Sequence, residues 1–343
     1  CKSLRKAIAT SQYLSPDVSQ TFPEQTSAMA SDTNDSTLST YTSLHGDNLA
    51  VQDWPVAGHE GALRGVVLIV HGLGEHAGRY DHVARQLNDW GFAVRGYDHY
   101  GHGDSAGVRG TLPYDNRLIE DLADVVESTR GRMDVNVPLL LLGHSMGGLI
   151  AARYVSLMSL TRGMAGVNAR FKPPLNGLIL SSPALDAGLG FFQKLLLATV
   201  ARAAPNLTLR NGLDSQYISH DPAVIAAYQN DPLVHDRISG RLARFIAETG
   251  PEVVAQAGQW TLPTLLMYAG QDKLVNARGS KAFEQAAPHS VVTSKCFPNL
   301  YHELFNEVHR AQVFEQLCKW LDLHFKHTPA SRSMMPTEFS PLA

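Results

Sequence analysis

An open, mostly parallel α/β sheet with helices on both faces, and a helical insertion after its sixth strand, is the architecture this 343-residue sequence predicts. Three observations lead there. Short, wholly apolar runs such as Val66–Val70 alternate with segments whose apolar residues recur at helical spacing. The pentapeptide Gly143-His-Ser-Met-Gly147 sits between the apolar run Pro138–Leu142 and the helix-forming stretch Gly148–Ser159. One interval, Pro183–Trp260, runs for 78 residues, several times an ordinary connection between a strand and a helix.

Residues 1–40 are rich in Ser, Thr, Asp and Gln and hold no apolar run long enough for a signal-peptide core. They are expected to be disordered, as is the tail 327–343. Tyr41–Leu44 and Leu49–Asp53 flank His45-Gly-Asp-Asn48 and read as a hairpin. Val66–Val70 is a strand, and Tyr80–Trp90 follows with helical spacing at Val83, Leu87 and Trp90. Phe92–Tyr97 is a strand, and Asn116–Thr129 a helix with Leu118, Leu122, Val125 and Val126 on one face. Leu139–Leu142 feeds the pentapeptide. Asn176–Leu180, Thr264–Tyr268 and Val291–Cys296 are further strands, with helices over Asn276–Ala286 and Glu307–His324. Residues 41–182 and 261–326 thus form the sheet domain, and 183–260 the insertion.

Within the insertion, Phe192, Leu195, Leu196, Thr199, Val200 and Ala203 fall on one helical stripe, predicting a helix over Gly188–Ala204. Phe191, Leu197 and Leu189 add apolar surface beyond that stripe. Helical segments at Pro222–Gln229 and Ser239–Thr249 complete a mostly helical cap. Surplus apolar surface beside a catalytic edge suits a ligand with an apolar tail, with Phe192 and Leu196 expected to line its slot. The same surface suits transient contact with a membrane.

A formal net charge of -3 gives no electrostatic reason to expect nucleic acid or an anionic membrane as partner. Three cysteines without C-x-x-C spacing suggest thiols in a reducing, cytoplasmic setting. No stretch approaches the ~18–20 apolar residues of a spanning helix, so a soluble chain is expected. Two readings of the first residues stand beside each other. Cys1 would carry lipid in a membrane-anchored lipoprotein; otherwise Met29 heads the protein, which is the expectation taken here.

G-x-S-x-G between a strand and a helix marks a nucleophile elbow, with Ser145 at the apex of a strained turn and glycines where side chains would collide. A serine nucleophile needs a base, and the base needs an orienting carboxylate. On this scaffold both follow the serine in the chain. Asp272 stands just after Thr264–Tyr268, and His302 just after Val291–Cys296, at strand ends where open sheets build their sites. Asp98 is the rival acid. His144 is expected to point away from the apex, and His71 to belong to the oxyanion loop. His99 and His102, in Asp98-His-Tyr-Gly-His-Gly103, lack an established metal spacing; a turn fixed by Asp98 and the glycines accounts for them. The N–H groups of Leu73 and Met146 are the expected oxyanion donors. This chemistry calls for no metal or organic cofactor.

Together, His71-Gly-Leu-Gly-Glu-His-Ala-Gly-Arg-Tyr80, Asp98–Ser105 and Gly143–Gly147 resemble the monoacylglycerol lipase / lysophospholipase branch of the α/β hydrolases. Pro205-Asn-Leu207 and Tyr228-Gln-Asn-Asp-Pro-Leu233 extend the likeness, which spans about Tyr41 to His324. The resemblance implies an α/β-hydrolase fold, a Ser145–Asp272–His302 triad, oxyanion donors at Leu73 and Met146, and Tyr228 at the glycerol end of the pocket. It implies hydrolysis of single-chain lipid esters, monoacylglycerol first, with lysophospholipase or short- and medium-chain carboxylesterase activity as alternatives. Ser145 excludes the haloalkane dehalogenases and epoxide hydrolases, whose nucleophile is Asp. An aminopeptidase would need an acidic cap residue, Glu248 or Asp236, facing a free amine. A non-catalytic binding protein would have no use for three triad residue types in the right places.

Overall fold

Unbroken runs of Val, Ile and Leu suit strands buried on both faces, and the computed structural model builds its sheet from them. It describes residues 36–56, 63–161, 175–188, 190, 199 and 201–326, all within one compact unit, Asn34–Ala343. Cys1, Met29, Phe192, Leu196 and the tail 327–343 lie outside the described residues. Strands β1 (Thr37–Thr42) and β2 (Asn48–Trp54) pair antiparallel, and β2 pairs antiparallel with β4 (Phe92–Tyr97). The remaining strands of the sheet are parallel: β3 (Gly65–Val70), β5 (Leu139–His144), β6 (Gly177–Ser181), β9 (Thr264–Ala269) and β10 (Val292–Phe297). The spatial order is β1-β2-β4-β3-β5-β6-β9-β10.

Successive strand residues point to opposite faces, and the core divides accordingly. Leu68, Val70, Leu139, Leu141, Leu178 and Leu180 pack on one side with α2 (Arg117–Arg130) and α3 (Met146–Thr161). Val67, Ile69, Leu140, Leu142, Ile179 and Leu265 pack on the other with α1 (Asp81–Asp89) and α7 (Ala311–His324). Each such side chain contributes about 1.5–3 kcal/mol through burial. Helix α6 (Ala277–Ala286) joins the first side through Phe283.

The chain leaves β3 toward β4 on one side and then takes β5 on the other side of β3. Loops after β3 and β5 therefore diverge and open a crevice at the carboxyl ends of the strands. Among the described residues, no helix is long and apolar enough to cross a membrane.

Several boundaries differ from expectation, each for a local reason. Strand β1 starts at Thr37, inside the segment expected to be disordered, because an exposed threonine-rich edge strand shows no apolar alternation. Strand β5 runs through His144, so the serine follows the strand directly. Helix α7 starts at Ala311 rather than Glu307. The buried Glu307 carboxylate accepts the Tyr301 N–H at 2.6 Å and pairs with His220 at 2.8 Å, which keeps that stretch in a loop.

The interval after β6 is not wholly helical. Two three-residue strands, β7 (Thr208–Arg210) and β8 (Arg237–Ser239), pair antiparallel beside α4 (Pro222–Asn230) and α5 (Gly240–Gln256). Strands that short show no period of two in the sequence. Helix α5 continues past Thr249 through Pro251, with Gly250 laid against Leu185. Gly188 takes φ +67 and is not helical, whereas Ala201–Ala203, at the end of the expected first helix, are.

Candidate active site

Ser145 follows β5 without a linker and takes φ +53, a left-handed conformation that costs a non-glycine residue roughly 1–3 kcal/mol. Its surroundings hold it there. The Ser145 N–H donates to the Ser181 carbonyl at 3.0 Å, and its own carbonyl accepts from Ala184 N–H and Leu149 N–H, both at 3.0 Å. A Cβ on Gly143 would lie 2.7 Å from the Gly147 carbonyl oxygen, and one on Gly147 only 2.0 Å from the Val70 oxygen. Both positions are glycine because the turn leaves no volume for anything else.

Beyond β9, Asp272 lodges in a turn where its Oδ1 accepts Leu274 N–H at 2.9 Å and Val275 N–H at 3.0 Å. Its Oδ2 lies 2.7 Å from Nδ1 of His302, which stands beyond β10, and both side chains are almost fully buried. Burial opposes charge on His302, but the Asp272 carboxylate more than offsets it, so the imidazole titrates above the ordinary histidine range. Burial likewise disfavours the Asp272 carboxylate, but the His302 charge and these hydrogen bonds hold it below the usual carboxylate range. Asp98, the rival acid, turns both oxygens to the backbone, accepting Ala77 N–H at 2.8 Å and Asp104 N–H at 2.9 Å.

The two expected oxyanion donors flank the serine. Met146 opens α3, where the helix presents its positive end. Leu73 is oriented by its neighbour: the Gly72 carbonyl accepts from His71 Nδ1 at 2.8 Å. A planar trans peptide then turns the Leu73 N–H the opposite way. Nε2 of His71 accepts His99 N–H at 3.0 Å, which leaves the ring proton on Nδ1. Among the described residues neither the Leu73 nor the Met146 N–H has a protein acceptor.

A cavity of about 870 Å³ brings these residues together, lined by Leu73, Ser145, Tyr228, His235, Leu274 and His302, among others. Helix α4 contributes Tyr228, over whose ring the Arg79 guanidinium sits at 4.7 Å. His144 departs from expectation. It lines the same cavity with its ring centroid 4.8 Å from that of His302, and burial pushes its pKa down to about 4. Strand β5 extends two residues farther than the apolar run and so delivers His144 to the crevice. His99 and His102 are fully buried, and no group of three or more His, Cys, Asp or Glu among the described residues converges to hold a metal.

Sequence reasoning assigned no role to one feature, a buried charge cluster behind the cavity. Glu75 accepts the Gly72 N–H at 2.6 Å and the Tyr80 hydroxyl at 2.8 Å, and is ion-paired with Arg79. Arg79 also clasps Glu303 through two 2.8 Å bonds. The i,i+4 spacing of Glu75 and Arg79 beside the first glycine motif was the available signal. Nothing in the sequence pointed to Glu303 as their partner, 224 residues from Arg79.

With this geometry in hand, comparisons with known proteins are informative. The profile of the Hydrolase_4 family, described as serine aminopeptidase, S33, matches residues 61–309. The chain is similar to the monoacylglycerol lipase of Mycolicibacterium smegmatis, 33% identical over 76% of this chain and 89% of that one. It is also similar to the phospholipase YtpA of Bacillus subtilis, 31% identical over 73% of this chain and 92% of that one. Among solved structures, the monoacylglycerol lipase of Paleococcus ferrophilus superposes with a TM-score of 0.67 at 32% identity, covering 77% of this chain and 96% of its own.

Proposed function

We infer what this chain does from the premise that it belongs to the Hydrolase_4 family (serine aminopeptidase, S33) of α/β hydrolases: it is a carboxylic ester hydrolase, and its substrate is a monoacylglycerol. The observation that carries the mechanism is the buried 2.7 Å His302–Asp272 pair, in one cavity with a left-handed Ser145.

Ser145 Oγ attacks the ester carbonyl while His302 Nε2 takes its proton. Asp272 holds the Nδ1–H and stabilises the imidazolium. The N–H groups of Leu73 and Met146 receive the oxyanion. His302 then protonates the departing glycerol oxygen, leaving an acyl group on Ser145, and next deprotonates the water that releases the fatty acid. Tyr228 bounds the glycerol end of the cavity. Residues 183–260 serve as its cap, since Tyr228 and His235 belong to them, and 41–182 with 261–326 form the catalytic body. The sequence reading of Phe192 and Leu196 as acyl-slot residues falls outside the described residues.

The cavity chemistry favours an ester with a neutral head over an aminoacyl substrate. Each carboxylate lining it has a basic side chain as partner: Glu75 and Glu303 share Arg79, Asp231 bonds His76 at 2.8 Å, and Asp236 bonds Arg210 at 2.8 Å. Glu248 lines a separate surface pocket with Asp115 and Arg153. One observation favours a second reading, a lysophospholipid. Arg109 lines the cavity without a carboxylate partner among the described residues and would meet a phosphate.

Leu207, Leu209 and Leu213 expose between 42% and 56% of their surface, and Leu213 reaches the cavity rim. These side chains provide the membrane contact that lipid delivery requires. Two free thiols, Cys296 and Cys318, fit a cytoplasmic setting.

A substrate panel tests the reading. Purified protein should hydrolyse 1-monoacylglycerols faster than lysophosphatidylcholine and far faster than aminoacyl amides, and Ser145→Ala should abolish both turnover and fluorophosphonate labelling. Labelling that survives in Ser145→Ala would sink the mechanism. Preference for the lysophospholipid would select the second reading, and preference for amides would overturn both.

A further inference from the structure

Three stretches remote in sequence meet behind the cavity: the loop after β3 at Gly72–Tyr80, Tyr228 on α4, and the loop after β10 at Tyr301–Glu307. No strand pairing joins the first to the last, yet the catalytic geometry depends on their spacing. The Leu73 N–H must face the carbonyl oxygen of the ester that Ser145 attacks while His302 faces the serine oxygen. One guanidinium connects all three stretches. Arg79 is 10% exposed, between carboxylates that are 5% and 6% exposed, and lies against the Tyr228 ring.

Each contact is directional. Arg79 meets Glu75 through one nitrogen, Nη1, and that same nitrogen reaches Glu303 Oε1 at 2.8 Å while Nη2 reaches Oε2 at 2.8 Å. Asn306 braces Glu303 further at 2.7 Å. On the other side Glu75 passes the constraint to the Gly72 N–H at 2.6 Å, one residue before Leu73. Gly72 is itself confined, since a Cβ there would lie 2.7 Å from Glu75 Oε1 and 3.3 Å from the Ser145 Cβ. Stability alone is a weak reason to bury three charges, because apolar side chains of similar volume commonly hold such a site at least as firmly. The cluster also carries one more negative than positive charge. That surplus lies beside His302, the group that becomes cationic during each proton transfer.

We infer that Arg79 is a positioning residue of this active site: bridging Glu75 and Glu303, it sets the oxyanion loop at a fixed distance from the His302 loop and holds Tyr228 in the cavity wall. The inference rests on the serine-hydrolase reading above and assigns the cluster a part in it. Arg79 touches no reacting atom. Without it, Glu75 and Glu303 repel each other and the Gly72–Leu73 peptide loses its outer anchor, so the loss falls on the transition state rather than on substrate binding.

The test compares Arg79→Met, Arg79→Lys and Glu303→Gln with the parent protein on a soluble monoacylglycerol, with kcat expressed per fluorophosphonate-titrated site. Misfolded molecules then drop out of the rate. Arg79→Met should lose about tenfold to a hundredfold in kcat with KM within about threefold, less than the ~10²–10³ of deleting an oxyanion donor outright. Arg79→Lys should recover part of that loss, keeping the charge but not the two-pronged grip. Glu303→Gln should move the acid limb of kcat/KM to lower pH, since it removes a negative charge next to His302. A kcat per titrated site within threefold of the parent in Arg79→Met, or an acid limb that stays in place in Glu303→Gln, overturns the inference. If Arg79→Met does not fold, Arg79→Lys and Glu303→Gln decide by the same criteria. Failure of the underlying reading looks different: the parent protein itself would neither label at Ser145 nor turn over any ester.

Discussion

The two flanks of Ser145 are built on opposite physical principles. On the elbow side, β5, α3 and the start of the β3 loop are locked by exclusion: Gly143 and Gly147 stand where any Cβ would strike backbone, and Gly72 where it would strike the Glu75 carboxylate. On the histidine side, the loops after β9 and β10 are locked by charge, through Asp272–His302 and Glu303–Arg79–Glu75. Steric locking is indifferent to pH and admits no compromise. Electrostatic locking depends on which groups carry charge, and it leaves the base adjustable. Ser145 is therefore fixed in space, while His302 is tuned in energy.

Asp272→Asn makes the largest break in this contrast. It should leave the fold cooperative while lowering kcat by about 10³–10⁴, because the wrong His302 tautomer is then favoured. The pH profile sharpens the point. A general base must be neutral, so kcat/KM in the parent should fall as pH drops through a midpoint above the ordinary histidine value of 6.5. Removing the carboxylate that raises this value should move the midpoint down. A midpoint that stays in place in Asp272→Asn would mean that Asp272 does not tune His302.

On the elbow side the expected effect is on stability rather than on the pH profile. Gly147→Ala places a Cβ 2.0 Å from the Val70 oxygen and should cost at least about 3 kcal/mol in urea melts, or leave no folded protein. Gly131→Ala is its control. That glycine has φ -68 and no neighbour closer than 3.5 Å, so the change should be neutral or stabilising by about 0.4–1 kcal/mol. Equal melts for the two variants would refute the exclusion argument.

The smallest effect belongs to neither flank. Leu209→Ser, at a side chain 56% exposed, should lower the rate on monoacylglycerol held in vesicles a few-fold and leave a soluble short-chain ester untouched. Equal loss on both substrates would argue against contact with a lipid surface.

The same contrast explains what could be read from the chain. The apolar runs, the Gly-x-Ser-x-Gly turn and the residues placed after the last two strands are local patterns, and the sheet and the Asp272–His302 pair follow from them. His144 was misjudged because the strand outlasts its apolar run by two residues, and hydropathy does not mark that extension. The pairing of Thr208–Arg210 with Arg237–Ser239 escaped because three residues cannot display a period. Glu303 escaped for a different reason: a salt bridge across 224 residues leaves no signature in a single sequence.

The hydrogen bonds that hold the Ser145 peptide have a mechanical consequence. Its partners, Ser181 and Ala184, are the end of β6 and the first step of the long interval that follows. Beyond them Pro183 lies against Gly148, Leu185 against Gly250 and Gly279, and the Asp186 carbonyl accepts Asn276 N–H at 3.1 Å. The start of the long interval after β6 is thus riveted to the backbone of Ser145. A swing of the cap that spared the serine could not bend there. Beyond this root stands Gly188, left-handed at φ +67, its N–H donating to Asp186 Oδ1 at 2.8 Å and, among the described residues, only the Asn276 Cβ within 4 Å of where a Cβ would stand. Whatever enters the cavity therefore meets a serine whose backbone is held by the end of β6 and by Ala184 together.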